Sequence, residues 1–413
     1  MAPFFPLVEQ LLNFQVKFDA IIVGWASRPP KKYNLYARKL MINPLNQEVD
    51  IKLEFIRKAL TETKAIALRL RGTDWFAWAT AGGSHTVLLT AETGVAEILI
   101  TAENAWVLTD EIEAQRLQDE ELRANFQMYI YPWADVAQRE AFVKEITGGG
   151  NVMSDRPNAQ ETPIIGSLQS CKQTMMSSEL ERYRRVGRLA SEAMTEVLSA
   201  AKPTWTEYQL AGAGAEALWA RGLHPALTLV AGERRLPLYR HATATAEQIG
   251  RQAMLVFCAR GWGLYANLTR FVCFDFLGEK HSELHRQVRE IEASALNLCR
   301  PGVTLNAVYY TLKTAYEEHG YPQAIVEHHQ GGTTGYLARE IVANPATSDI
   351  LVANMAVAWN PSLSGAKIED TFVIHSDGTL ENLTFDPNWP SVEVAGRLRP
   401  VPLEIWHDRP YSI

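Results

Sequence analysis

The sequence predicts a two-domain protein of mixed α/β (α+β) class, and three observations carry this expectation. The chain has 413 residues, long for one domain, so two are expected. In its first part, short runs rich in β-branched and aromatic residues are separated by turn residues and by amphipathic helical stretches. A polar stretch containing Gly and Pro, Thr147–Pro163, then precedes a second part that opens on two helical segments. The expected division is an N-terminal domain over 1–170 and a C-terminal domain over 171–413.

Composition excludes several classes of function. An apolar fraction of 47% with 21% charged residues is globular and ample for a large core. A net charge of −7 argues against nucleic acid or anionic membrane as partner, since both require clustered Lys and Arg. Cys171, Cys258, Cys273 and Cys299 are scattered, with no CxxC pair, which suits free thiols in a reducing cytoplasm. The opening MAPFFPLVEQLLNF lacks a basic start and carries Glu9, unlike a secretory signal. No apolar run reaches the roughly 18 residues of a membrane span. A cytoplasmic location is expected.

In chain order, Asp19–Trp25, Trp75–Thr80, His85–Thr90 and Ala96–Thr101 read as strands bounded by Gly, Ser and Thr. Between them Glu48–Lys64 reads as a helix, with Ile51, Phe55, Ile56 and Leu60 on one face. In the second part, Ser177 or Ser178 followed by acids caps a helix. Its Leu180, Tyr183, Val186, Leu189, Ala193 and Val197 keep helical spacing until Pro203 stops it. TWTEYQLAGAGAEALWARG continues as a second helix. A strand and a hairpin follow, then two more helices around the turn Arg300-Pro301-Gly302-Val303-Thr304.

Three stretches carry specific content: AMLVFCARGWGLYANLTRF (253–271), EHHQGG (327–332) and AVAWNPSLSGAKIEDTFVIHSDG (356–378). Their order and spacing resemble the dinuclear metallopeptidases of the methionine and Xaa-Pro aminopeptidase kind, and their non-metal relative creatinase. The pattern WFAWATAGGSHTVLLTAETGVAEILITAENAWVLTDEIEAQRL resembles the N-terminal domain of creatinase and the Xaa-Pro aminopeptidases. The resemblance covers nearly the whole chain. It implies a creatinase-like N-terminal domain, a C-terminal pita-bread catalytic domain and a homodimer.

In the metallopeptidases two aspartates, a histidine and two glutamates hold two divalent ions. The corresponding positions here are Val256, Asn267, His329, Asn360 and Glu369. Valine has no lone pair, and asparagine offers only a neutral carbonyl in place of a bridging carboxylate. His329 and Glu369 carry one negative charge against the four positive charges of a metal pair. The resemblance therefore implies a scaffold that has lost its metals, and neither metal nor other cofactor is expected.

Chemistry then moves to other groups. His241, fifteen residues before Val256, stands where the family keeps a histidine that shuttles protons, and where creatinase has its base. The alternative is a surface or core histidine in a Tyr-Arg-His-Ala turn. His329 and Glu369 complete the expected catalytic group, Glu369 holding an imidazolium or a cationic substrate. Arg339 and Glu340 follow the H-x-x-G turn, and Asn267 and Asn360 face the old metal pocket. Cys258 is either a nucleophile with a lowered pKa or, more commonly for a free cysteine, packed. Trp262, Tyr265, Tyr336 and Trp359 could stack on a flat or cationic ligand, or serve as core. Arg234, Arg235 and Arg240 could pair with a carboxylate-bearing ligand, or be solvated surface charge.

Three functions remain open. The first is a metal-independent hydrolase or lyase of the creatinase type, acting on a C–N bond of a small amino-acid-like, guanidino or amidine molecule. The second is a catalytically silent binding or assembly protein. The third is an Xaa-Pro metallopeptidase.

Overall fold

The helix expected over Glu48–Lys64 is α1 (Ile42–Thr63), and it buries Val49, Leu53, Ile56 and Leu60, spaced four, three and four apart. This spacing places one stripe of a 3.6-residue helix on the core. Phe55, expected on that stripe, is 38% exposed. The computed structural model describes residues 42–123 and 125–406; the expected strand Asp19–Trp25 and the chain's opening lie outside them. The chain from Leu45 onward holds together as one unit.

After α1 come β1 (Ala67–Gly72), α2 (Thr73–Ala79), β2 (Thr93–Thr101), β3 (Ala105–Asp110), α3 (Ala114–Arg116), β4 (Gln127–Tyr131), α4 (Ala137–Thr147), β5 (Val152–Ser154) and β6 (Thr162–Pro163). The strands form one sheet in the order β4-β3-β2-β1-β5-β6. The strand at Ala96–Thr101 is present within β2. Trp75–Thr80 is helical instead. All seven residues of α2 are buried, and a wholly apolar run has no periodicity to separate strand from buried helix. His85–Thr90 joins no ladder, and Val87, Leu88 and Leu89 are 59%, 66% and 44% exposed. The stretch expected as a linker contributes β5, which pairs in parallel with β1, and β6 beyond it.

The second part begins with α5 (Gly166–Gln173), α6 (Ser177–Ala200) and α7 (Glu207–Trp219). The six residues expected to face the core along α6 are all buried. Its cap lies one residue earlier than expected, because Met176 N–H donates to Glu179 Oε2 (2.8 Å). β7 (His224–Gly232), β8 (Gln252–Gly261) and β9 (Leu264–Phe274) form an antiparallel meander. Next come α8 (Glu279–Leu298), α9 (Leu305–Glu318) and the short α10 (Ala324–Glu327), then β10 (Gly331–Thr334), β11 (Ile341–Val342) and β12 (Ala356–Trp359). They are followed by β13 (Ser362–Leu363), β14 (Ala366–Lys367), β15 (Asp370–Ile374), β16 (Leu380–Asn382), β17 (Ser391–Val394), β18 (Arg397–Pro400) and β19 (Leu403–Ile405).

Two sheets dominate this part, ordered β19-β9-β8-β7 and β11-β10-β12-β15-β16. They meet where Thr269 of β9 bridges Glu369, with Thr269 N–H donating to the Glu369 carbonyl (3.0 Å). Helices α6 and α7 cover the first sheet through Val186, Ala190, Leu210 and Leu218, packed with Leu255, Phe257 and Leu268. Helices α8 and α9 cover the second through Val288, Ile291 and Leu312, packed with Val357, Trp359 and Phe372. A further core joins Leu53, Phe76 and Trp78 to Tyr183, Leu264 and Tyr336, so apolar packing is continuous across residue 170. Among the described residues no helix is long and apolar enough to cross a membrane.

Candidate active site

The meeting of the two sheets positions the site. On the β8–β9 hairpin, Val256 stands opposite Thr269, and Cys258 opposite Asn267. On the second sheet Gly331 pairs with Trp359, and Trp359 with Asp370. His329, Asn360 and Glu369 are therefore brought to the same edge, each just outside a strand. Close approach requires glycine here: Gly331 has φ +101°, and a Cβ on it would lie 2.1 Å from the Ala358 carbonyl oxygen. His241 comes from the β7–β8 connection.

Three histidines gather at this edge. His241 is exposed, His329 is half-buried and His328 is only 8% exposed. His241 Nε2 and His328 Nε2 are 2.8 Å apart. The rings of His328 and His329 stack, with centroids 4.5 Å apart and planes 23° apart. One nitrogen from each histidine lies within 4.8 Å of the others. Burial pushes all three toward the neutral form, His328 down to about 2, His329 to about 4, and His241 below its ordinary value. Lys367 and Arg339 push the same way, whereas Glu369 favours the protonated His241.

Beside the histidines lies a compact charged group. Glu369 accepts hydrogen bonds from Arg339 and from Thr269 Oγ1 (3.1 Å), and Lys367 Nζ stands 3.8 Å from its other side. Burial would raise the Glu369 carboxyl, but Lys367 and Arg339 overcome this and hold it below the usual carboxylate range. Burial lowers the Lys367 ammonium pKa, with Glu369 acting against the shift. The Cys258 thiol is pushed up to about 12, chiefly by burial. At neutral pH it is a protonated packing group and not an activated nucleophile.

The other expected residues are placed as follows. Asn267 is fully buried; its Nδ2 donates to Thr334 Oγ1 (2.9 Å), and its Oδ1 accepts no hydrogen bond. Asn360 is also buried, with Oδ1 unbonded. The arginines expected to meet ligand are already paired: Arg234 with Glu247, Arg235 with Glu207, and Arg240 with Glu327 (2.5 Å). Tyr336 is fully buried and donates to Glu179 (2.5 Å), within the network of Lys52, Glu48 and Arg182. Glu340 pairs with the buried Lys172 (2.9 Å), which also binds Asp74 (2.7 Å). Trp262 sits at the hairpin turn under Arg185, and Tyr265 under Arg260. Trp359 is core, its Nε1–H donating to Cys299 Sγ (3.1 Å). Tyr336, Glu340 and Trp359 are therefore structural: their polar atoms are spent on buried partners.

Sequence reasoning missed the role of Lys367 and the pairing of His328. Lys367 and Glu369 are two apart in an extended segment, a spacing that puts side chains on one side of the chain. That signal was available. Nothing local in the sequence pairs His328 with His241.

The site was tested for the metal pair that the resemblance implies. Val256 packs with Leu229, Leu236, Ala242, Met254 and Phe271, an apolar cluster with no donor. Glu369 is already bonded by two cations and a hydroxyl. A carboxylate-bridged pair does not fit. The histidine trio supplies three neutral nitrogens within reach of one ion. The charged groups acting on His241 are nevertheless Lys367, Glu369 and Arg339, which offer an incoming cation net repulsion.

Residues 181–376 match the family model described as metallopeptidase family M24. The fold is similar to that of an Xaa-Pro dipeptidase from Bacillus anthracis, with TM-score 0.69 and 18% identity, covering 86% of this chain and all of that one. It is also similar to that of an X-Pro aminopeptidase from Thermotoga maritima, with TM-score 0.68 and 17% identity, covering 86% and 99%. An uncharacterized peptidase of Staphylococcus aureus is 26% identical over 119 residues, 27% of this chain and 34% of that protein. The match thus spans about a third of that curated relative. Residues 181–376 are a metallopeptidase family M24 domain, and the chain takes the pita-bread fold of that family.

Proposed function

We propose that this protein hydrolyses a C–N bond in a small amino-acid-like molecule of the amide, guanidino or amidine type, without the family's paired metals. The observation that carries this reading is the 2.8 Å contact between an exposed and a buried histidine. In the tautomer where His241 Nε2–H donates to His328 Nε2, the Nδ1 lone pair of His241 remains available as a base. A water bound there gives its proton to Nδ1 while its oxygen attacks the carbon of the C–N bond. The same proton then passes to the departing nitrogen, so that water is consumed and the base is regenerated. Glu369 stabilises the transient imidazolium from beside it, as its effect on His241 indicates. His329 lines the reacting face.

This reading takes the protein as a cytoplasmic homodimer acting on a small molecule, with neither nucleic acid nor membrane as partner. The net charge of −7 supports the last two exclusions. The peptidase reading draws on the dipeptidase and aminopeptidase folds; the donor set argues against it.

The test is turnover across a panel of guanidino, amidine, N-acyl amino-acid and Xaa-Pro compounds, followed by mass spectrometry of products. On whichever compound is cleaved, His241→Ala should lower kcat by about 10²- to 10⁴-fold, the usual worth of a positioned base. Undiminished turnover by that variant would show the base to be elsewhere. Binding without product across the whole panel would favour a silent binding protein.

A further inference from the structure

Arg289 lies in α8, four residues after His285 and on the same helix face, and the two are 9% and 5% exposed. Among the described residues Arg289 forms no hydrogen bond or ion pair, and its Nε–H is buried without an acceptor. Arg57, Arg182, Arg240, Arg260, Arg339 and Arg399 also bury one unbonded nitrogen, but each bonds through another. The charged groups acting on Arg289 are Glu290, Arg399, Arg286 and Glu292. Both carboxylates are spent elsewhere. Glu290 accepts from Arg286 (2.5 Å) and His319 (3.1 Å), and Glu292 accepts from Arg399 through both oxygens (2.7 and 2.5 Å). The guanidinium is thus a buried cation with no anion of its own.

Arg289 borders two clefts. The larger, about 660 Å³, is also bordered by the carboxylates of Glu290 and Glu393. The smaller, about 440 Å³, has Leu277, Pro390, Val401, Pro402 and Leu403 in its walls and His285 beside Arg289. Burial and Arg289 keep His285 neutral, and no hydrogen bond acts on it, so its ring has an N–H to donate. Glu404, the carboxylate on this rim, is exposed to solvent and accepts from Leu277 N–H (3.3 Å). Apolar walls with a few convergent polar groups are the usual form of a small-molecule site. Burying an unpaired guanidinium is costly, and an anion that supplies acceptors relieves the cost. His285 rests edge-on against Phe271 (centroids 4.5 Å apart, planes at 77°), and Phe271 packs in the apolar cluster of Val256 and Ala242. The cleft therefore touches the cluster next to His241 without sharing a residue with the histidine edge.

We propose that the cleft at Arg289 is a second ligand site, which takes a small monocarboxylate with an apolar body. The carboxylate accepts from the Arg289 guanidinium and from the His285 ring, and the apolar body lies against Leu277, Val401 and Leu403. Arg289 and His285 are binding residues. The site does not depend on the hydrolytic reading, since none of its residues takes part in that chemistry.

The experiment is isothermal titration calorimetry of the intact protein with hexanoate and phenylacetate, each beside its primary amide at matched ionic strength, and with inorganic phosphate. Both acids should bind, with the amides about 10- to 100-fold weaker, the factor for losing one charge-assisted contact. Phosphate, which has no apolar body, should bind more weakly than either acid. Arg289→Met should remove the preference for acids, and His241→Ala should leave it unchanged. Because the guanidinium has no partner, Arg289→Met should also raise the urea midpoint of the ligand-free protein or leave it unchanged. A lowered midpoint, or a variant that fails to fold, would show that the protein itself holds Arg289 and would overturn the proposal. No binding of either acid, equal binding of the amides, or phosphate binding as tight as that of the acids would overturn it as well. So would acid binding that survives Arg289→Met, and its loss in His241→Ala would then place the anion at the histidine edge.

Discussion

His241 and His328, 87 residues apart in sequence, meet Nε2 to Nε2 at 2.8 Å, the exposed ring resting on the buried one. Where His241 Nε2–H is the donor, this contact leaves Nδ1 as the free nitrogen of His241. His328→Phe keeps the bulk and removes the bond. It should lower kcat by about 10-fold or more with little change in KM, as expected for loss of a group acting only through the base. The pH dependence of kcat should shift as well, which a purely structural role would not cause. An unchanged pH profile would assign His328 to packing alone.

The neutral burial of these rings makes stability pH-dependent. His328 and His329 have folded pKa values of about 2 and about 4, below the ordinary 6.5. The buried His85 and His285, each lowered to about 3, behave alike. The unfolded chain binds protons first as pH falls, so this stabilisation is complete above about 6.5. It declines from there toward the folded values, at no more than about 1.4 kcal/mol per pH unit for each ring. Urea midpoints should fall between pH 7 and 5, and His285→Phe should flatten the slope. A flat profile for the parent protein would contradict the burial.

Away from the site, Lys52 lies 2.7 Å from both Glu48 and Glu179, with all three side chains essentially buried. Arg182 also binds Glu48 (2.6 Å). Lys52→Met leaves carboxylates buried with one cation fewer and should cost about 3–5 kcal/mol in denaturant unfolding. The network helps tie α1 to α6 and to Tyr336, so this loss should be global. A change under about 1 kcal/mol would mean that the carboxylates reach water or take up protons readily.

Metal content separates the present reading from the peptidase one. Protein purified without chelator and incubated with excess manganese, zinc, cobalt or iron should retain less than about a tenth of an ion per chain, since binding requires a complete deprotonated ligand set. One tightly held ion, lost on His328→Phe, would identify the histidine trio as a metal site. Two ions would restore the dinuclear peptidase.

The family could be read from the sequence because its signals are local. The hairpin motif at 253–271, the H-x-x-G turn at His329 and the E-D-T run at Glu369 each keep their spacing in a short segment. The departures from the family's ligand pattern were equally legible, since Val256 has no donor whatever the fold. Helix α6 was legible because its stripe repeats over many residues. Helix α2 was not, since Trp75, Phe76 and Trp78 are buried together and leave no polar face to set a period. Among the candidate residues, His241, His329, Glu369 and Arg339 do come together. Tyr336 and Glu340 lie in the motifs, yet bond to Glu179 and Lys172 from elsewhere in the chain.

By itself, the sequence determined the scaffold and which residue types stand at the positions of the family's ligands, because residue type and short-range spacing suffice for both. Only the tertiary structure decided which charges are spent. It paired Arg234, Arg235 and Arg240 with Glu247, Glu207 and Glu327, and it left Lys367 and Arg339 to share Glu369. It also set His328 behind His241. The physical reason is that a charged or imidazole group takes its properties from the partners within a few ångströms. Those partners are chosen by the packing of two sheets, in which Thr269 and Glu369 touch across a hundred residues of intervening chain.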